Sequence, residues 1–217
     1  MNGRSVSGIS APVKPREVKR DLRRNEILNA AEEIFAKHGF HEASMAEIAR
    51  QSGFATGTIY LYFRDKADLY GSIILGKMRE MLASLQAALE SAGPAAECLR
   101  RGVHAQFAFH ETNRRFFEIF LNQHQVGSSP LHSDHWNELE TLKRGVLESI
   151  TDCVARGQRE GIIKRGEAKQ YAVVFLGINL QMIRQWIREG RGDCLADQAE
   201  FAADCFLNGA ARRVGKT

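Results

Sequence analysis

Four hydroxyls and one ammonium fall within residues 56–66: Thr56, Thr58, Tyr60, Tyr62 and Lys66. Side chains of these types donate to phosphate oxygens. A helix beginning near Thr56 would add backbone N–H groups at its N-terminus, where anions are favoured. The chemistry of this stretch is therefore recognition of a polyanion, and two tyrosines on so short a segment are hard to explain by solubility alone.

The elements that must position these groups can be read from residues 44–66, SMAEIARQSGFATGTIYLYFRDK. Ser44 followed three positions on by Glu47 fits a capping box. Met45, Ile48 and Ala49 repeat at helical spacing and stop at Ser52-Gly53. Gly53 suits the positive φ of a sharp turn between helices, and Ala49 lets the two helices come close. Phe54 and Ile59 then fall inward. This order of small, glycine and apolar residues is that of a DNA-binding helix-turn-helix, the alternative being a hairpin that merely packs.

The stretch IYLYFRDKADLY resembles the end of the DNA-binding domain in the tetracycline-repressor (TetR) family. The family pattern is met by Ile59, Tyr60, Tyr62, Phe63, Lys66 and Leu69. RNEILNAAEEIFAKHGF resembles the family's first helix, and SMAEIARQSGFATG its second helix and turn. The resemblance spans about residues 22–75. It departs at Met45, where many members carry a hydroxyl or small polar residue, and at Tyr62, where His is frequent. It implies DNA contacts from Ser44, Met45, Thr56, Gly57, Thr58, Tyr60, Leu61, Tyr62 and Lys66. Tyr62 and Lys66 are expected on phosphates, with Thr58, Tyr60 and Leu61 nearer base edges. It also implies an all-α fold of about nine helices: an N-terminal three-helix DNA-binding domain and a larger C-terminal ligand-binding and dimerisation domain.

The charge distribution agrees with a nucleic-acid partner. Of 30 basic and 26 acidic side chains, residues 1–24 hold seven basic and two acidic ones, so the basic excess sits at the N-terminus. Residues 1–18 are expected to form a disordered basic arm, 19–65 the helix-turn-helix domain and 66–217 the effector and dimer domain. Within the first of the folded units, a helix from about Asp21 to His38 carries Ile27, Ala31, Ile34 and Phe35 inward and ends at Gly39.

A long helix comes after the cap Arg64-Asp65, with Leu69, Ile73, Ile74, Met78, Met81, Leu82, Leu85 and Leu89 as its apolar stripe, and breaks at residues 91–94. It links the DNA-binding region to the C-terminal helices and is a candidate lever. Helices are expected over 95–111 and 113–124, a loop over 126–134, a helix from Ser133 or Asp134 to about Gly161, and two more over 167–189 and 196–213. The helix 167–189 is apolar almost all round, which calls for burial from two directions. Tyr171, Val174, Ile178, Ala199, Ala202 and Phe206 are the candidate homodimer interface. Five of the twelve phenylalanines lie over 107–120. Phe107, His110, Phe116, Phe120, Phe175, Asn179 and Met182 are candidates for a pocket holding an apolar or amphipathic effector, with a filled core as the alternative.

Catalytic motifs are absent: no HExxH, no phosphate-binding glycine loop, no nucleophile elbow. His132, His135 and Glu138 have ligand-like spacing, yet capping and solvation account for them equally, and no metal or cofactor is expected. Cys98, Cys153, Cys194 and Cys205 show no CxxC spacing and read as reduced thiols. No apolar run reaches membrane-spanning length. The expectation is a cytoplasmic, homodimeric transcriptional regulator, not an enzyme, that binds a palindromic double-stranded operator as a repressor and is released by a small molecule. The alternative is an all-helical enzyme or carrier without regulatory DNA binding.

Overall fold

The computed structural model describes residues 15–118, 131–190 and 194–210. Among these residues every regular element is helical: α1 Pro15–Glu42, α2 Met45–Ser52, α3 Thr56–Ile59, α4 Lys66–Leu89, α5 Ala95–Thr112, α6 over 114–118, α7 Ser133–Arg159, α8 Ala168–Glu189 and α9 Ala199–Ala210, with a short 3-10 turn Ala196–Gln198 leading into α9. None is long and apolar enough to cross a membrane.

Helix α1 begins earlier than the apolar pattern suggested. Pro15 occupies its first turn, where a missing N–H costs nothing, and no glycine interrupts the chain until Gly39. Arg16, Lys19, Arg20, Arg23 and Arg24 therefore lie on a helix, which corrects the expected arm at 15–18; Arg4 and Lys14 lie outside the described residues. Gly39, at φ 75° and ψ 174°, kinks the helix. The kink turns Phe40 back onto the ring pair Phe35 and Tyr70, at centroid distances of 6.0 Å and 5.1 Å. This cluster fastens α1 to α4.

The C-terminal part is built on α4, α5, α7 and α8, with α9 packed against α5 and α8. Glycines set two of these contacts. At Gly102 of α5 a methyl group would stand 3.1 Å from Leu89 of α4, and at Gly157 of α7 one would stand 3.2 Å from Ala95 of α5. Gly161, at φ 74°, turns the chain out of α7. The core is continuous from Ile27 to Leu207, so α4 belongs to the small N-terminal unit and to the larger one alike. At 24 residues it extends about 36 Å.

Three boundaries differ from the sequence expectation. The N-cap of α7 is His132, one residue before Ser133. The final helix is preceded by the 3-10 turn, and positions 211–213 fall outside the described residues, as does most of the loop expected over 126–134. The recognition segment is α-helical for four residues only; it continues through Tyr60–Phe63 as turns, with Leu61 N–H donating to Thr58 O and Tyr62 N–H to Ile59 O.

Candidate nucleic-acid interface and effector cavity

Ser44 builds the first helix of the pair. Its hydroxyl accepts from Glu47 N–H at 3.1 Å and donates to the Glu47 carboxylate, which in turn accepts from Ser44 N–H at 3.3 Å. These bonds hold the Glu47 carboxyl below its ordinary range. The Ser44 side chain is thus committed to the cap, and its value to the interface is to aim α2. Ile48 and Ala49 are buried, while Met45 is half-buried against the core. At Gly53, φ is 73°, and its N–H and that of Phe54 close the helix on Arg50 and Ala49 carbonyls.

The turn presents α3 outward. Ile59 and Phe63 are buried beneath it, and the Arg24 guanidinium lies 5.0 Å from the centre of the Phe63 ring. Above them Leu61 is 78% exposed and Tyr60 50%. Thr56, Thr58 and Tyr62 are half-buried, and Tyr62 packs partly on the core. Gly57 is exposed, and a methyl group there would meet nothing within 4 Å, so no contact within the chain explains a glycine at that position. Lys66 is held differently from a free surface cation. Its ammonium donates to His41 O at 3.0 Å and Ala43 O at 2.9 Å.

Beside this surface lies a polar junction that sequence spacing does not reveal. Asp65 caps α4 by accepting from Asp68 N–H at 2.8 Å. The Asp65 carboxylate also meets His132 Nε2 at 3.0 Å, and Asp68 lies 3.4 Å from His135 Nε2. Arg64 joins both sides, reaching Asp68 at 2.9 Å and Asp134 at 2.8 Å. Burial pushes the Asp68 carboxyl up, but Arg64 and His135 outweigh it and hold the group below the ordinary carboxylate range. The two histidines thus have carboxylate partners across the junction. Among the described residues no cluster of three or more His, Cys, Asp or Glu is arranged for a metal.

A cavity of about 430 Å³ opens between α4, α5, α7 and α8. Met78 and Met81 line it from α4, Gln106 and His110 from α5, Trp136, Leu139, Lys143 and Val146 from α7, and Leu176, Leu180, Ile183, Arg184 and Ile187 from α8, with Phe117 closing one side. Of the expected pocket residues only His110 is on its wall. Phe107 and Phe175 are fully buried, and Phe175 meets Phe206 edge-on at 5.1 Å, so these rings fill core space between α5, α8 and α9. Phe116 is buried against Phe117, Met182 lies half-buried off the wall, and Phe120 is outside the described residues. Asn179 sits one layer behind the wall and donates to Gln106 Oε1 at 3.1 Å. Arg114, at the start of α6, is bonded to Glu118 at 2.8 Å and stacks 4.5 Å from the centre of the Trp186 ring.

The expected dimer residues divide. Val174 is exposed, as are Val173, Gly177 and Phe201, and Tyr171 and Ile178 are half-buried. Ala199, Ala202 and Phe206 are buried inside the subunit and cannot meet a partner, a correction that comes from helix phase. These three occupy the inward stripe of α9, whereas Phe201, Cys205 and Asn208 occupy the outward one. A stripe of small residues shows close packing, but not which helix is packed against it.

Residues 27–73 match the family described as bacterial regulatory proteins, tetR family. An uncharacterized HTH-type transcriptional regulator of Bacillus subtilis, YhgD, is 25% identical over 167 residues, covering 77% of this chain and 85% of that protein. The structure of the TetR family regulator PfmR from Thermus thermophilus is similar at a TM-score of 0.72 and 24% identity, covering 86% of this chain and 99% of PfmR. The regulator FadR of Bacillus subtilis in complex with stearoyl-CoA is similar at 0.73 and 22%, covering 85% and 98%.

Proposed function

An N-terminal domain of the tetR family makes the chain a DNA-binding transcriptional regulator, and from that premise we propose that it works as a homodimeric repressor released from a palindromic operator by an amphipathic small molecule. The observation that carries the reading is the outward surface of α3: Tyr60 and Leu61 exposed, beside an open Gly57, on a segment held in place by the Gly53 turn. A large apolar side chain that is 78% exposed has no role within the subunit and suits contact with a thymine methyl. Residues 19–65 form the DNA-reading unit and residues 66–217 the effector and dimer unit, with α4 common to both cores.

Dimerisation brings two copies of α3 to successive turns of the major groove, about 34–36 Å apart or somewhat more. The exposed residues Val173, Val174, Gly177 and Phe201 support pairing through α8 and α9. The cavity supports the effector: it is mostly apolar, within the usual size for small-molecule sites, and lined by two methionines of α4. FadR, which shares the fold, was crystallised with stearoyl-CoA, and a long amphipathic ligand is consistent with the methionine-bearing wall here. A ligand that favours one tilt of α4 changes the separation of the two recognition segments, and coupling of about 1–3 kcal/mol gives a 5–150-fold change in operator affinity. Its relatives are transcriptional regulators.

The test is selection of genomic fragments by the purified protein, with footprinting of the fragments retained. A two-fold symmetric site protected at both halves is expected. Retention of DNA without sequence preference would overturn the operator reading.

A further inference from the structure

Gln106 on the cavity wall and Asn179 one layer behind it form a polar pair that the apolar character of the site does not explain. Gln106 is 1% exposed and Asn179 1%, both far from water. They bond to each other once, through Asn179 Nδ2 and Gln106 Oε1. Gln106 Nε2 and Asn179 Oδ1 are left without partners among the described residues. Turning both carboxamides over preserves the mutual bond but strands Gln106 Oε1 and Asn179 Nδ2 instead, so a carboxamide atom of each residue is left over either way. Leaving such a group unpaired in a protein interior costs about 1–3 kcal/mol.

His110 stands one helical turn beyond Gln106 and also lines the cavity. Its Nδ1–H donates to the Gln106 backbone carbonyl at 2.7 Å, because a carbonyl can only accept. Burial pushes the imidazole pKa down, so the ring is neutral and its Nε2 is a lone-pair acceptor. The deep wall therefore offers a carboxamide atom with no partner and an imidazole acceptor, on one face of α5. At the solvent end the lining is cationic. Lys143 and Arg184 are both exposed; Lys143 is shared with Glu140 at 2.8 Å, and Arg184 has no carboxylate partner among the described residues.

We propose that the effector is an amphipathic carboxylate bearing a hydroxyl group along its apolar chain, with the carboxylate at Arg184 and Lys143 and the hydroxyl between Gln106 and His110. With Gln106 Nε2 as the unpaired atom, a hydroxyl donates to the His110 acceptor and accepts from that amide N–H together; a keto oxygen serves only the amide N–H, and a methylene serves neither. The inference rests on the cavity being the effector site, and it adds a chemical requirement to that reading.

The test uses the full-length protein and calorimetric titration with dodecanoate and with hydroxydodecanoates whose hydroxyl is placed successively along the chain. At least one hydroxy isomer is expected to bind about tenfold tighter than dodecanoate, the worth of one buried hydrogen bond. In the doubly apolar variant Gln106→Leu/Asn179→Leu that preference is expected to vanish while dodecanoate still binds. The paired substitution removes both carboxamides, so no polar partner is stranded in the core, and a thermal melt confirms folding. Should the double variant fail to fold, His110→Phe supplies the same comparison. Arg184→Gln should weaken every acid in the series. Equal binding of dodecanoate and all hydroxy isomers overturns the hydroxyl subsite and leaves the cavity as effector site. Failure of every acid to bind overturns the ligand class, and the operator footprint, measured on the same preparation, shows separately whether the regulator reading stands.

Discussion

The Lys66 ammonium lies 4.7 Å from the centre of the Phe40 ring, over its face. From that position it donates to the carbonyls of His41 and Ala43, closing the end of α1 from the first turn of α4. One N–H remains for a phosphate. Lys66→Met should lower stability by about 1–2 kcal/mol, because two carbonyls and a cation–π contact lose their partner. It should also weaken binding to all DNA sequences alike and reduce the salt slope by about 1. Chemical denaturation and titrations at several salt concentrations separate the two effects. A change in which bases are preferred would contradict the phosphate assignment.

Tyr60 and Leu61 make the opposite case. Both are exposed and neither supports the core, so Tyr60→Phe and Leu61→Ala should leave stability within about 0.5 kcal/mol. Operator affinity should fall for the preferred sequence while non-specific binding stays nearly unchanged. Competition assays with base-substituted operators provide the measurement; a uniform loss on all sequences would assign these side chains to the backbone.

The dimer surface can be distinguished from the subunit core by the same logic. Phe201→Glu and Val174→Arg place charge on exposed positions and should yield a folded monomer by light scattering. Ala202→Leu, at a position 1% exposed, should instead lower the melting temperature, since overpacking a filled core costs about 1–3 kcal/mol. A dimer that survives both charged variants would place the interface elsewhere.

Acid should loosen the junction between α4 and α7. The Asp68 carboxyl is depressed in the folded chain below its ordinary value of 3.8. Its contribution is therefore full above that value and is lost as pH falls through the lower folded value. Asp68→Asn should flatten the dependence of stability on pH over that acidic range. His110 is depressed from 6.5 by burial, so the unfolded chain takes up a proton first and stability declines as pH drops below that value; His110→Phe should remove this second slope. Denaturant melts across pH report both.

Gly71 tests whether the junction transmits the effector signal. A methyl group there would stand 2.7 Å from His135 Cγ, so Gly71→Ala must move the ring away from Asp68. The expected result is a stable protein whose operator affinity responds less to ligand, measured by titrating the operator with and without it. An unchanged response would confine coupling to α4 itself.

Local rules in the sequence were enough for α2 and the turn that follows it. The Ser44–Glu47 box, the Gly53 turn and the buried phase of Ile48, Ala49 and Ile59 depend on neighbours within a few positions, and each is present as written. The helical course of the chain and the break at 91–94 were legible for the same reason. What a buried side chain faces was not, because helical periodicity separates inside from outside without naming the neighbour. Phe107, Phe175 and Phe206 satisfy an apolar pattern whether they line a cavity or fill it, and only the packing of α5, α8 and α9 made them core. Gln106 drew no attention as a lone glutamine among apolar residues, and its role arises from Asn179, 73 positions away. Lys66 bonding across to Ala43, and Asp65 and Asp68 meeting His132 and His135, likewise needed the chain to fold back on itself. Contacts between distant residues are chosen by how helices pack, and that choice is made by the whole core at once.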